Sequence, residues 1–231
     1  MSLSASALLQ SLQRSDLWSG ARLATSSVSG VASGFPALDA VLPGGGWPCG
    51  ELTEVFQARQ GIGELTLLLP ALAGLVAEDG WIAAVAPPWP LHAPAWQANG
   101  LPLERLLVIR AEGQETAWAC EQLLASGALS GLLAWLPEID TRQLRRLQLA
   151  SESHPGPVYL FRPAAQAGMA SPAPLRLTLD AAPDGLAVTL FKRRGPPLAA
   201  PLILKVKRPV RTVRRTARRM TPIALHPVPV S

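Results

Sequence analysis

The chain has 231 residues, enough for one large domain with a complete core or for one domain plus a tail. Hydrophobic residues make up 48% and aromatic residues 5%, which fits an Ala/Leu-rich α/β domain and argues against a β-sandwich or a disordered protein. Two cysteines, Cys49 and Cys120, and three histidines, His92, His154 and His226, form neither a disulfide framework nor a metal-ligand spacing. The first thirty residues carry no basic segment leading into a long apolar run, and no stretch reaches 18 uninterrupted apolar residues. The expectation is a cytoplasmic protein with reduced thiols, no metal, no bound cofactor and no membrane partner.

In chain order, residues 5–18 place Leu8, Leu9, Leu12 and Trp18 on one helical stripe, followed by a Ser/Gly-rich link to Ser33. A short helix carrying Leu38, Val41 and Leu42 leads into the glycine-rich turn G-G-G-W-P-C-G, then a strand over 52–56, a loop, and a helix from about Gly63. Strand, glycine loop and helix in that order can turn backbone N–H groups and a helix N-terminus toward an anion. A phosphate loop of pattern G-x-x-x-x-G-K-[ST] would put its key positions at Ala58, Gly63, Glu64 and Leu65, with Gly61 inside the loop, and three of the four depart from it. Glu64 stands where a lysine should touch the phosphates. At roughly 4 Å and an effective dielectric of about 20, one unit-charge pair is worth on the order of 4 kcal/mol, and reversing its sign shifts the balance by about twice that. Leu65 also has no hydroxyl for Mg²⁺. The loop is therefore read as a degenerate phosphate loop that ATP does not enter, and an ordinary βα turn satisfies the residues equally well.

Beyond it the pattern alternates: a buried helix over 65–77, a central strand over 81–86 stopped by Pro87, Pro88 and Pro90, a helix over 93–99, and a strand over 106–109. A helix over 115–125, a strand over 131–136 and a helix over 140–151 follow, the last capped by Asp140 or Thr141. That helix carries Arg142, Arg145 and Arg146 largely opposite Leu144, Leu147 and Leu149, so it is an amphipathic surface helix or a docking face for a partner or DNA. A strand over 158–161, a Pro/Ala/Gly/Ser-rich loop over 162–174, and a hairpin of 175–179 with 186–191 joined by D-A-A-P-D-G complete the sheet. Lys192, Arg193 and Arg194 directly follow the hairpin, as a cluster that contacts protein or DNA or as a solvated strand end.

Charge is divided unevenly. From residue 205 onward there are eight basic residues, Lys205, Lys207, Arg208, Arg211, Arg214, Arg215, Arg218 and Arg219, and no acidic ones. Residues 1–204 hold 13 basic and 16 acidic groups, so the body is near −3 and the tail +8. Arg211, Arg214, Arg215, Arg218 and Arg219 would share one face of a helix, between Pro209 and Pro222. Five like charges on one face repel, so the segment is expected to be disordered alone and to fold on an anionic partner, DNA backbone or an acidic protein surface. Only Val213, Ala217 and Met220 are available to bury, which argues against a membrane surface.

The run from Gly34 through the loop resembles the start of the RecA ATPase core. The set L-W-x-G at 17–20, G-F-P-A-L-D-A-x-L-P-G-G-G-W-P, G-I-G-E-L-x-L-L-L-P, V-A-P-P at 85–88, R-R-L-Q-L-A at 145–150 and K-R-R-G at 192–195 resembles the ImuA family. ImuA proteins are RecA-like, SulA-related accessory proteins of bacterial mutasome operons. The resemblance covers about residues 8–205 and implies a RecA-like α/β core over 25–204 with a central, mostly parallel sheet flanked by helices. It implies an N-terminal helix and assembly element over 1–24, which makes self-association an expectation beside intramolecular packing, and leaves 205–231 as the basic tail. It further implies a non-catalytic role in damage-induced translesion DNA synthesis. The expected partners are RecA, an ImuB-type Y-family polymerase homologue, an error-prone DNA polymerase III alpha subunit indirectly, and DNA. In the RecA pattern a catalytic glutamate follows the 81–86 strand, where Pro87 and Pro88 stand, and an aspartate ends the 131–136 strand, where Trp135 and Leu136 stand, with Glu138 two residues late. Those losses imply no ATP hydrolysis. The alternatives are a divergent RecA-type DNA-dependent ATPase and a SulA-like inhibitor of the division GTPase FtsZ.

Overall fold

The computed structural model describes residues 30–206, apart from residues 78, 197 and 199. The stripe Leu8, Leu9, Leu12 and Trp18, and the tail residues Lys207, Arg208, Arg211, Arg214, Arg215, Arg218 and Arg219, lie outside the described residues.

The chain folds as β1 (Gly30–Val31), α1 (Pro36–Asp39), β2 (Trp47–Pro48), β3 (Leu52–Gln57), α2 (Glu64–Ala77), β4 (Ile82–Val85), α3 (Ala93–Ala98) and β5 (Leu106–Ile109). It continues with α4 (Gln114–Ala125), β6 (Gly131–Trp135), α5 (Thr141–Ser151), β7 (Val158–Pro163), β8 (Leu175–Ala182), β9 (Gly185–Lys192) and β10 (Leu202–Leu204). β1 and β2 form a small antiparallel pair, and the other strands form one sheet in the order β10-β9-β8-β3-β7-β6-β4-β5. From β8 to β5 every neighbouring pair is parallel, and β9 runs antiparallel to both β8 and β10. The result is an α/β fold with a mostly parallel mixed sheet flanked by helices.

Central position explains the strand sequences. All six residues of β3 are buried, as both faces of a parallel strand are covered. One face packs Leu67, Leu68 and Leu72 of α2 against Val55, Tyr159 and Trp47. The other packs Ala117, Cys120 and Leu124 of α4 and Leu144 and Leu147 of α5 against Leu132, Ala134 and Leu160. Near the start, Gly34 has φ +83° and lies against Pro70 in α2, so an added Cβ would collide with that ring. Only glycine allows this backbone and this approach together.

Besides the β1–β2 pair, which forms in segments read as a link and a turn, the structure differs from the sequence reading in three places in the large sheet. Arg162, expected at the start of a loop, is a residue of β7 and is 2% exposed, because Glu54 on β3 offers it a buried counter-charge. The hairpin is longer than its apolar runs: polar and small residues of D-A-A extend β8 through Ala182, leaving Pro183 and Asp184 as the turn. A further strand, β10, forms from a Leu-Ile-Leu run behind the prolines and pairs with β9. Asp140 does cap α5: its Oδ1 accepts from the Gln143 N–H at 2.7 Å, and Gln143 Oε1 accepts from the Asp140 N–H at 3.1 Å.

Candidate binding crevice at the carboxyl end of the sheet

In a parallel sheet the loops that follow the strands gather at one edge, and ligands bind in the crevice they leave. Here five adjacent strands, β3, β7, β6, β4 and β5, send their ends into a cavity of about 580 Å³. Gln57 to Gln60 form one wall, Ala86 and Pro88 a second, Ala111 to Gly113 with Thr116 a third, and Trp135, Pro137 and residues 161–163 the floor. Trp135 and Phe161, neighbours in register on β6 and β7, stack with centroids 4.8 Å apart and planes 12° from parallel. The crevice continues past Pro88 and Glu112 into a second cavity of about 660 Å³ beside Trp89, Val108 and Arg110. Trp89 is 70% exposed and is held over the loop by its Nε1–H, which donates to Gln60 Oε1 at 2.8 Å.

The loop after β3 has the conformation its glycines permit, with φ +75° at Gly61 and +109° at Gly63. Its N–H groups point at a carboxylate. Gly61 donates to Glu64 Oε1 at 2.9 Å and Gly63 to Glu64 Oε2 at 3.1 Å, and Glu64 is buried at the first position of α2. A phosphate would meet this carboxylate at the same donors, so the residues present do not fit one there. Ala58 lines the crevice and Leu65 packs on the core. Trp135 and Leu136 are buried, and Glu138 is exposed on the loop after β6.

Behind the floor lies a cluster that sequence reasoning missed. Glu54 is fully buried on β3; Arg162 Nη1 binds its Oε1, and Arg176 Nε on β8 donates to Oε2 at 2.6 Å. Both guanidinium groups lie over the Phe56 ring, at 5.5 and 5.0 Å. Arg162 also donates to Gln166 Oε1 through Nε at 3.1 Å and Nη2 at 2.8 Å, and Gln166 Nε2 binds the Pro137 carbonyl. The loops after β6 and β7 are thereby tied to the buried charge. The sequence signal was a glutamate in the middle of the strand L-T-E-V-F-Q, with one arginine in each of two later strands.

The cations at the end of the hairpin have partners within the fold. Lys192 Nζ donates to the Ser171 carbonyl at 2.8 Å, Arg193 binds the Val41 carbonyl and, through Nε at 2.7 Å, that of Pro196, and Arg194 pairs with Glu51. Burial, then the Arg176 charge, pushes the Lys192 ammonium below its ordinary value, against the opposing pull of Glu54. Lys205 is exposed just after β10. On α5, Arg142, Arg145 and Arg146 all face outward, and Arg146 pairs with Glu121 on α4.

The family described as cell division inhibitor SulA matches residues 50–156, from β3 through α5. That stretch is similar to SulA. The SulA of Photorhabdus laumondii subsp. laumondii is 34% identical over 99 residues, 42% of this chain and 55% of that protein. The SulA of Pectobacterium carotovorum subsp. carotovorum is 31% identical over 104 residues, 44% of this chain and 62% of that protein. Protein RecA of Lactococcus lactis subsp. cremoris is 32% identical over 107 residues, 46% of this chain and 27% of that protein. The chain thus spans little more than half the length of the SulA proteins it matches and about a quarter of RecA. Among the described residues no helix is long and apolar enough to cross a membrane.

Proposed function

We propose that this chain is a non-catalytic, RecA-like accessory protein of the ImuA kind, acting in damage-induced translesion synthesis by binding RecA, an ImuB-type polymerase homologue and DNA. The observation that carries the reading is the Glu64 carboxylate on the loop N–H groups. It occupies the donors that a phosphate would need, while the neighbouring crevice, lined by Trp135, Phe161 and three prolines, has the shape of a binding surface. Positioning and charge neutralisation are nearly all of phosphoryl-transfer chemistry. A loop that presents a carboxylate to the phosphate supplies neither. Partial similarity to both SulA and RecA supports a place in the damage response.

The test uses purified protein with RecA, with the polymerase homologue and with single-stranded DNA across a salt series. The expected result is association without ATP turnover, and loss of DNA or partner binding when Arg211, Arg214, Arg215, Arg218 and Arg219 become alanine. Log affinity for DNA should fall linearly with log salt. Retained binding in that variant removes the tail from the interface, and stimulated ATP hydrolysis by the wild-type chain overturns the reading. The SulA match over residues 50–156 favours a second reading, inhibition of division through FtsZ; co-sedimentation with FtsZ in place of RecA decides for it.

A further inference from the structure

The outer face of α4 and α5 carries two features that the crevice does not use. Trp118 on α4 is 60% exposed, and beside it a groove of about 310 Å³ runs between the helices, bounded by Glu121, Gln143 and Arg146. On α5 every charge is positive. Arg146 is held by Glu121, whereas Arg142 and Arg145 have no ion pair or hydrogen bond among the described residues and stand exposed one turn apart. Leu149, a further turn along the same stripe, is 65% exposed.

We infer that this face docks an acidic protein segment, which sets carboxylates on Arg142 and Arg145 and inserts one apolar side chain into the groove beside Trp118. Tryptophan and arginine are the residue types that most often dominate such contacts. The groove has room for a single leucine- or phenylalanine-sized group, and Leu149 extends the apolar contact. Charge complementarity selects an acidic partner, because α5 itself offers no carboxylate. A protein is selected over nucleic acid because the groove beside Trp118 takes an apolar side chain, which a phosphate backbone does not supply, while the partner's carboxylates stay on Arg142 and Arg145, away from Glu115 and Glu121 in the groove. The inference stands apart from the identity of the mutasome partners and from the crevice.

The probe is a dye-labelled peptide, Asp-Asp-Glu-Leu-Leu-Glu-Asp-Glu, followed by fluorescence anisotropy at low salt. The basic tail would also attract it, so the measurement uses the full chain with Arg211, Arg214, Arg215, Arg218 and Arg219 changed to alanine. Binding is expected to weaken at least tenfold in R142E/R145E and in W118A, and to stay unchanged in R105E, which alters an arginine outside both cavities, paired with Asp79. Trp118, Arg142 and Arg145 are exposed, and circular dichroism checks each variant's fold. Equal binding by the background protein and R142E/R145E overturns the proposal, as does no binding by any of them. Displacement of the peptide by a single-stranded oligonucleotide of equal charge, with the same sensitivity to R142E/R145E, would show that the face reads nucleic acid.

Discussion

The Glu64 carboxylate accepts the N–H of Gly61 at 2.9 Å, so the residue that breaks the phosphate-loop pattern also fills the loop it breaks. With the second bond from Gly63, the chain supplies its own anion at the start of α2, where the helix dipole favours negative charge. Hydrogen bonds to a charged group contribute about 1.5–3 kcal/mol each when both partners are shielded from water. Glu64→Ala should therefore lower stability by roughly 2 kcal/mol and speed amide exchange at 61–63, and Glu64→Gln should lose about half as much. Urea melts and hydrogen exchange check both. An unchanged midpoint with unchanged exchange would mean that the loop is held without this carboxylate.

Glu54 sits between two arginines and is the single carboxylate that both ion pairs share. Removing it leaves two buried cations facing each other. Breaking a buried pair from one side costs about 3–5 kcal/mol, whereas replacing the whole group by apolar side chains of similar volume is often neutral or stabilising. Glu54→Leu alone should thus lose about 3–5 kcal/mol or fail to fold, and the triple change E54L/R162M/R176M should recover most of that loss. Denaturant unfolding of the two variants makes the comparison. A triple variant no better than the single one would show that the cluster is held by shape and by the Gln166–Pro137 tie.

Much of this architecture was legible because it depends on local alternation. The parallel strands are short apolar runs separated by helical periods, and the Asp140 cap of α5 is written as D-T-R-Q. The hairpin's extent was harder to see, because cross-strand hydrogen bonds carry β8 through Asp180 and Ala181, which are exposed and have no apolar pattern. The departure of Glu64 from the phosphate-loop pattern was visible in the sequence, but the carboxylate's turn back onto Gly61 depends on backbone angles that spacing does not encode. Arg162 was unreadable for a different reason. Its burial depends on a glutamate 108 residues earlier, and no local window contains both. Trp118 was hidden likewise, since only the packing of α4 against α5 decides which face of either helix stays open.

The two thiols should differ in reactivity. Burial, and then the neighbouring Glu121 charge, pushes Cys120 up to about 12, and its side chain is enclosed between α4 and the sheet. Cys49 is only half-buried; burial raises it too, opposed by a backbone hydrogen bond with Val31. Since the thiolate is the nucleophile, iodoacetamide at pH 8 should modify one thiol slowly in the folded protein and both after denaturation. Mass spectrometry counts the adducts. Cys49→Ser should abolish labelling of the folded chain, and rapid labelling of Cys120 would show that α4 opens readily.

His154 is 2% exposed, and neither ring nitrogen has a hydrogen-bond partner among the described residues. Burial lowers its pKa from the ordinary 6.5. As pH falls through about 6.5 the unfolded chain takes up a proton that the folded chain refuses, so this group's contribution to stability falls with pH below that point. One proton can change stability by at most about 1.4 kcal/mol per pH unit. Glu51 acts with the opposite sign, because burial, outweighing the Arg194 charge, raises it above its ordinary 4.5, and the folded chain binds its proton first. The difference between wild type and His154→Leu isolates the histidine. Between pH 6.5 and 5 the wild type should lose more stability than the variant in urea melts, and parallel curves would mean that the imidazole reaches water or a partner in the folded state.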